Sequence, residues 1–134
     1  MMKRAFRISF LSVTAIVLLM SAGLAWGGDR NAAPVVTPFS MDFYGYITSA
    51  RIGDRMTVFD PDGVLCGEQT LTRDGQYGFL HVYGDDPATL PDEGAKGGNL
   101  LTFKLNGETV VPASEPSVRW KGDREKQQVD FTRP

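Results

Sequence analysis

The 134-residue chain has one cysteine and one histidine. A single thiol cannot close an internal disulfide. Zinc takes three or four nitrogen, sulfur or carboxylate ligands, and one His and one Cys on different predicted strands make a poor start. The nucleophile-elbow, zinc-protease, phosphate-loop and dinucleotide fingerprints are all missing. No amphipathic helical run follows the first 27 residues. Basic charge is scarce there too: 11 Lys and Arg stand against 16 Asp and Glu, a net charge of −5. That balance argues against nucleic acid and anionic lipid as partners, since both need a basic surface.

One long hydrophobic run is present, at the start. Lys3, Arg4 and Arg7 form a positive segment, and Phe10 to Trp26 is almost wholly apolar. Small residues close it, from Ser21 to Gly28. Charge, apolar run and small residues in that order are the secretory pattern. Residues 1–27 are therefore read as a signal peptide, cleaved after Ala25 or Gly27. The alternative is an uncleaved anchor, for which about 17 residues is at the short limit. No cysteine sits at the cleavage point to carry a lipid. The expected location is exported: periplasmic, cell-surface or secreted. Membrane contact is expected only through an uncleaved signal segment.

Residues 28–38 contain Pro and Ala without periodicity and read as a flexible leader. From residue 39 the apolar positions repeat every second residue, the strand period. Met41, Phe43, Gly45 and Ile47 alternate with Asp42, Tyr44, Tyr46 and Thr48. Arg55–Asp60, Val64–Thr72 and Tyr77–Tyr83 follow, separated by turns at Asp60-Pro61-Asp62-Gly63 and Asp74-Gly75. Cys66, inside a strand, is expected to be a buried, inert thiol. The loop 84–98 holds prolines, glycines and carboxylates that exclude a regular element. Leu100–Leu105 and Glu108–Val111 flank Asn106-Gly107, the strongest short-range hairpin pattern, with Leu101, Phe103 and Leu105 toward the core. Val118–Trp120 and Gln127–Thr132 complete the set. A short helix over 122–128 is the second choice there. Seven or eight short strands in about 100 residues predict an all-β fold: one small antiparallel β-sandwich over 39–134.

Several stretches resemble immunoglobulin-like and transthyretin-like sandwich modules of bacterial and archaeal surface proteins, including carboxypeptidase regulatory-like domains. The resemblance rests on Phe43-Tyr44-Gly45, Gly75-Gln76-Tyr77-Gly78, Gly84-Asp85-Asp86-Pro87, the Leu101–Gly107 hairpin, and the tail from Trp120 to Val129-Asp130-Phe131. It implies a spacer, adhesive or display role and carries over no active site.

Two groups of residues invite a binding reading. If Leu80 and Val82 face the core, Tyr77, Phe79, His81 and Tyr83 line the opposite face. Tyr44 and Tyr46 hold the outward parity of their own strand. Together they would form an aromatic surface suited to sugars or protein partners. A reversed parity, or a covering 84–98 loop, would remove it. Asp60 and Asp62 in a turn, with Asp85, Asp86, Asp92 and Glu93 in the loop, could serve calcium, which takes six to eight oxygens. The spacing matches no EF-hand, since Val64 and Leu71 fall at ligand positions. The competing reading is that these carboxylates build turns and keep the protein soluble.

The expected function is a non-enzymatic exported sandwich that binds or assembles at the cell envelope, with an envelope protein or polysaccharide as partner. The alternative is a small carbohydrate-binding module, calcium-assisted. No other cofactor is expected.

Overall fold

A computed structural model describes residues 32–114 and 117–133. The signal-peptide reading, and the leader up to residue 31, lie outside the described residues. Among the described residues there are ten short strands and no helix. They are β1 (Ser40–Tyr46), β2 (Arg55–Phe59), β3 (Leu65–Thr70), β4 (Gln76–Tyr83), β5 (Leu100–Leu105), β6 (Glu108–Thr109), β7 (Val111–Pro112), β8 (Val118–Arg119), β9 (Lys126–Gln128) and β10 (Phe131–Thr132). The region 122–128, a helix in the alternative expectation, holds a turn and β9.

One sheet has the order β4-β1-β9, a second has β3-β2-β5-β6 with β8 also on β5, and β10 pairs with β7. The pairs are antiparallel except one. β9 runs parallel to β1, which corrects the purely antiparallel expectation. β10 extends that parallel alignment through an Ile47–Phe131 bridge. The expected single strand Gln127–Thr132 is divided in two, and the cause is local. Val129 N–H donates to Tyr44 O at 2.9 Å, while Tyr46 N–H donates to the Asp130 carboxylate at 3.0 Å. A side-chain oxygen thus takes a donor that a ladder carbonyl would otherwise accept. The strand expected over Glu108–Val111 also divides. Its first half pairs with β5 and its second half with β10.

The Asn106-Gly107 turn forms as the sequence predicts. Both residues have positive φ, 50° and 83°, and Leu105 lies opposite Glu108. Leu101, Phe103 and Leu105 are buried, and Leu100 and Thr102 are exposed. The turn also reaches sideways. Arg55 N–H donates to Asn106 Oδ1 at 2.9 Å, and Asn106 Nδ2 donates to Asp54 at 3.0 Å.

The buried faces of both sheets share one core. Its centre is aromatic: Phe103 lies 5.3 Å from Phe43 and 4.6 Å from Phe131, and Tyr77 lies 5.8 Å from Phe131, ring centre to ring centre. Trp120 is buried with its indole N–H donating to Val82 O at 3.0 Å. Cys66 is buried as expected, and burial chiefly, with help from Asp60, pushes its thiol up to about 12. Such a thiol stays protonated at neutral pH and is no nucleophile. The described part of the leader is irregular but docked. Thr37 is buried and its hydroxyl donates to Gly84 O at 2.6 Å, and Arg55 donates to Ala32 O at 2.6 Å.

The loop 84–98 has no strand, as expected from its composition, apart from one Gly84–Ala95 bridge.

Candidate functional site

The outward face of the β4-β1-β9 sheet collects the largest group of exposed aromatics among the described residues. Strict alternation along β1 puts Met41, Phe43 and Ile47 inside and Tyr44 and Tyr46 outside. Tyr46 is 55 % exposed and Phe79 56 %. The Tyr44 and Phe79 rings are 5.2 Å apart, and the Lys126 ammonium sits 5.6 Å from the Phe79 ring centre. His81 pairs with the Asp42 carboxylate, and its ring lies 6.4 Å from that of Tyr83. Tyr44, Tyr46, Phe79 and His81 are exposed, while Tyr83, next to the 84–98 loop, is half-buried.

Tyr77 is the exception among the six expected aromatic-face residues, and the expectation for it is corrected. It is buried in the core, and its hydroxyl donates to Val129 O at 2.6 Å. The reason is a β-bulge. Phe43 pairs with Leu80 while Gly45 pairs with Tyr77, so β4 spends one more residue than β1 over that interval. An extra residue reverses the parity beyond it. Tyr77 and Leu80 therefore both point inward, and Gly78 and Phe79 are both exposed. Burial, with the Asp130 charge adding to it, holds the Tyr77 phenol far above its ordinary range.

The bulge depends on two glycines. Gly78 has φ +114°, and a Cβ there would stand 2.4 Å from Tyr44 Cβ. Gly45 has φ +154°, and a Cβ there would stand 2.3 Å from Val129 O. Their bare backbones let β1, β4 and the Val129 segment close up beneath Tyr44 and Tyr46.

Beside these tyrosines runs a surface groove of about 470 Å³. Tyr44, Tyr46, Gln69, Arg73, Gln76 and Gln128 contribute to its walls, with Gly45 and Gly78 beneath. The Gln69 carbonyl oxygen accepts from Gly78 N–H at 2.7 Å, which orients that amide. Sequence reading missed the glutamines and Arg73. They lie on β3, the β3–β4 turn, β4 and β9, and no spacing rule relates them before the strands are assembled.

The acidic residues separate into two groups. Asp60, Asp62 and Asp92 bring carboxylate oxygens within 4.8 Å of one another. Asp60 is buried, and its Oδ1 accepts from the backbone N–H groups of Asp62 at 2.9 Å and Val64 at 2.8 Å. Desolvation and the Asp60 charge hold the Asp92 carboxyl above its ordinary value, with Lys96 opposing. Asp85, Asp86 and Glu93 stand outside the trio and organise the loop instead. Asp85 accepts from Glu93 N–H at 3.1 Å and Asp86 from Ala88 N–H at 2.9 Å.

Compared with known proteins, the chain matches no family model, no curated protein and no solved structure.

Proposed function

We propose that this chain is an exported, non-enzymatic β-sandwich protein that binds at the cell envelope through the outer face of the β4-β1-β9 sheet. The observation that carries the reading is the exposed cluster of Tyr44, Tyr46 and Phe79 on one face of the β4-β1-β9 sheet. Contiguous exposed apolar surface marks a partner or ligand site more often than chance. Tyrosine and phenylalanine offer large contact area at little entropic cost. Two packed sheets over one core support the sandwich part of the reading. The non-enzymatic part draws support from the chemistry of the usual candidates. Cys66 is a protonated core thiol, and His81 is a surface imidazole paired with Asp42. Export rests on the pattern of residues 1–27. N-terminal sequencing of the exported protein should begin near Trp26 or Gly28; a retained Met1 in soluble material refutes it.

The test of the face is sedimentation with envelope material from the producing cells. The exported chain should co-sediment, and Phe79→Ser and Tyr44→Ser should release it without lowering the melting temperature much. Retention of both variants, or of neither chain form, overturns the reading.

A calcium-assisted form of this reading is favoured by one observation, the convergence of Asp60, Asp62 and Asp92. Calcium at millimolar concentration should then raise the melting temperature by mass action, and a chelator should reverse it. No shift leaves the trio as the turn and loop residues that their backbone bonds describe.

A further inference from the structure

We infer that the groove beside Tyr44 and Tyr46 is an oligosaccharide site; this rests on the envelope-binding reading of the same sheet face and names its ligand. At about 470 Å³ the groove is in the size range of small-ligand sites, about 300–1,000 Å³.

Its walls are chemically unusual for this protein. The chain is acidic overall, yet no carboxylate is among the groove's described lining residues. Arg73 is the one charged side chain there, and Gln69, Gln76 and Gln128 supply three carboxamides. A carboxamide both donates and accepts hydrogen bonds in one plane, as a pair of vicinal sugar hydroxyls requires. Gln69 already spends its carbonyl oxygen on Gly78 N–H, which leaves its N–H₂ group as a donor of set orientation. Tyr44 and Tyr46 add ring faces, on which the C–H side of a pyranose packs, and phenolic hydroxyls beside them.

Other ligand classes fit less well. A polyphosphate or nucleic acid calls for several cations, and one guanidinium is offered. A peptide adding as a strand needs an unpaired sheet edge. β4, which lines the groove, is an edge strand, but the Gly78 N–H it would offer there is already taken by the Gln69 side chain. A purely apolar ligand would cover the Gln76 and Gln128 carboxamides and the Gln69 N–H₂ group without offering them a partner.

The experiment is calorimetric titration of the exported chain with soluble oligomers of glucose, of N-acetylglucosamine and of galacturonic acid. Binding by at least one at millimolar concentration or below is expected. Tyr46→Ala and Gln128→Ala, both at exposed positions, should each weaken it about tenfold or more while the melting temperature holds. Leu90→Ala, at a fully exposed loop tip outside the groove, should change nothing. Absence of binding by every oligomer, or unchanged affinity in the Tyr46→Ala Gln128→Ala double variant, overturns the assignment. Treatment of the envelope material separates the two readings. Periodate oxidation of its glycans should abolish co-sedimentation. If protease abolishes it and periodate does not, the sheet face still binds at the envelope and the sugar assignment falls.

Discussion

In the β5–β6 hairpin, side chains alternate without interruption from Leu100 to Leu105, and a two-residue turn returns the chain. In the β1–β4 pair, only β1 alternates; β4 carries an extra residue and turns two consecutive positions outward. The first region is governed by its own residues. Asn106 and Gly107 take positive φ because a type I′ turn requires it, and the register follows from the turn. The second is governed by what lies across from it. Gly78 yields to Tyr44, Gly45 yields to Val129, and Tyr77 turns in to reach Val129 O. The exposed aromatic face belongs to the second kind of region. The bulge that removes Tyr77 from the surface sets Phe79 against Tyr44.

The contrast can be broken most forcefully at Gly45. Gly45→Ala places a Cβ against the Val129 carbonyl at a backbone angle that L residues rarely adopt. It should cost about 2–4 kcal/mol, read as a drop in the urea midpoint. An effect below that of Gly107→Ala would mean that the close approach is not demanded by the fold. The matching substitution in the hairpin is Gly107→Ala. Nothing lies within 4 Å of a Cβ there, so the whole penalty is conformational, about 1–3 kcal/mol. A melt like that of the parent would show that the turn tolerates another geometry.

Tyr77→Phe sharpens the parity correction. It removes a buried O–H donor and leaves Val129 O unpaired, a loss of about 1–2 kcal/mol. An outward Tyr77 would give almost none. Lys104→Ala gauges the hairpin's solvent side. The ammonium lies 5.1 Å over the Phe59 ring, so the cost rises from nothing to about 0.5–1 kcal/mol. The outward parity of Lys104 thus does not make it a neutral position.

The smallest effect is a pH dependence where the hairpin joins Asp54. Backbone N–H donation from Arg51 chiefly, then the Asn106 amide, holds the Asp54 carboxyl below its ordinary value. A carboxylate depressed in the folded state stabilises above its unfolded pKa and loses that contribution as pH falls through the folded one. Asp54→Asn should therefore flatten the acid limb of stability below about pH 4. An acid limb unchanged by the substitution would separate Asp54 from the turn's energetics.

Much of this was legible from residue order. The alternation of β1, the Asp-Pro-Asp-Gly and Asn-Gly turns, the absence of a strand from the 84–98 loop and the buried Cys66 follow from spacing and turn chemistry. The site was legible in part. Tyr44, Tyr46, Phe79 and His81 reach the expected face because their parity survives. Tyr77 does not, since a bulge has no unambiguous mark in one strand's sequence; Gly78 is the only local hint. The parallel β1–β9 pairing and the division of the last strand at Val129-Asp130 had no local sign either.

By itself, the sequence determined where strands and turns fall and which residues most want burial, because side-chain alternation and φ preferences are properties of neighbours along the chain. Only the tertiary structure decided which strand lies beside β1, where β4 bulges, and that Gln69, Gln76, Gln128 and Arg73 share a groove with two tyrosines. Those are contacts between distant residues. They depend on backbones approaching within van der Waals distance at Gly45 and Gly78, and such closeness is settled when the sheets pack.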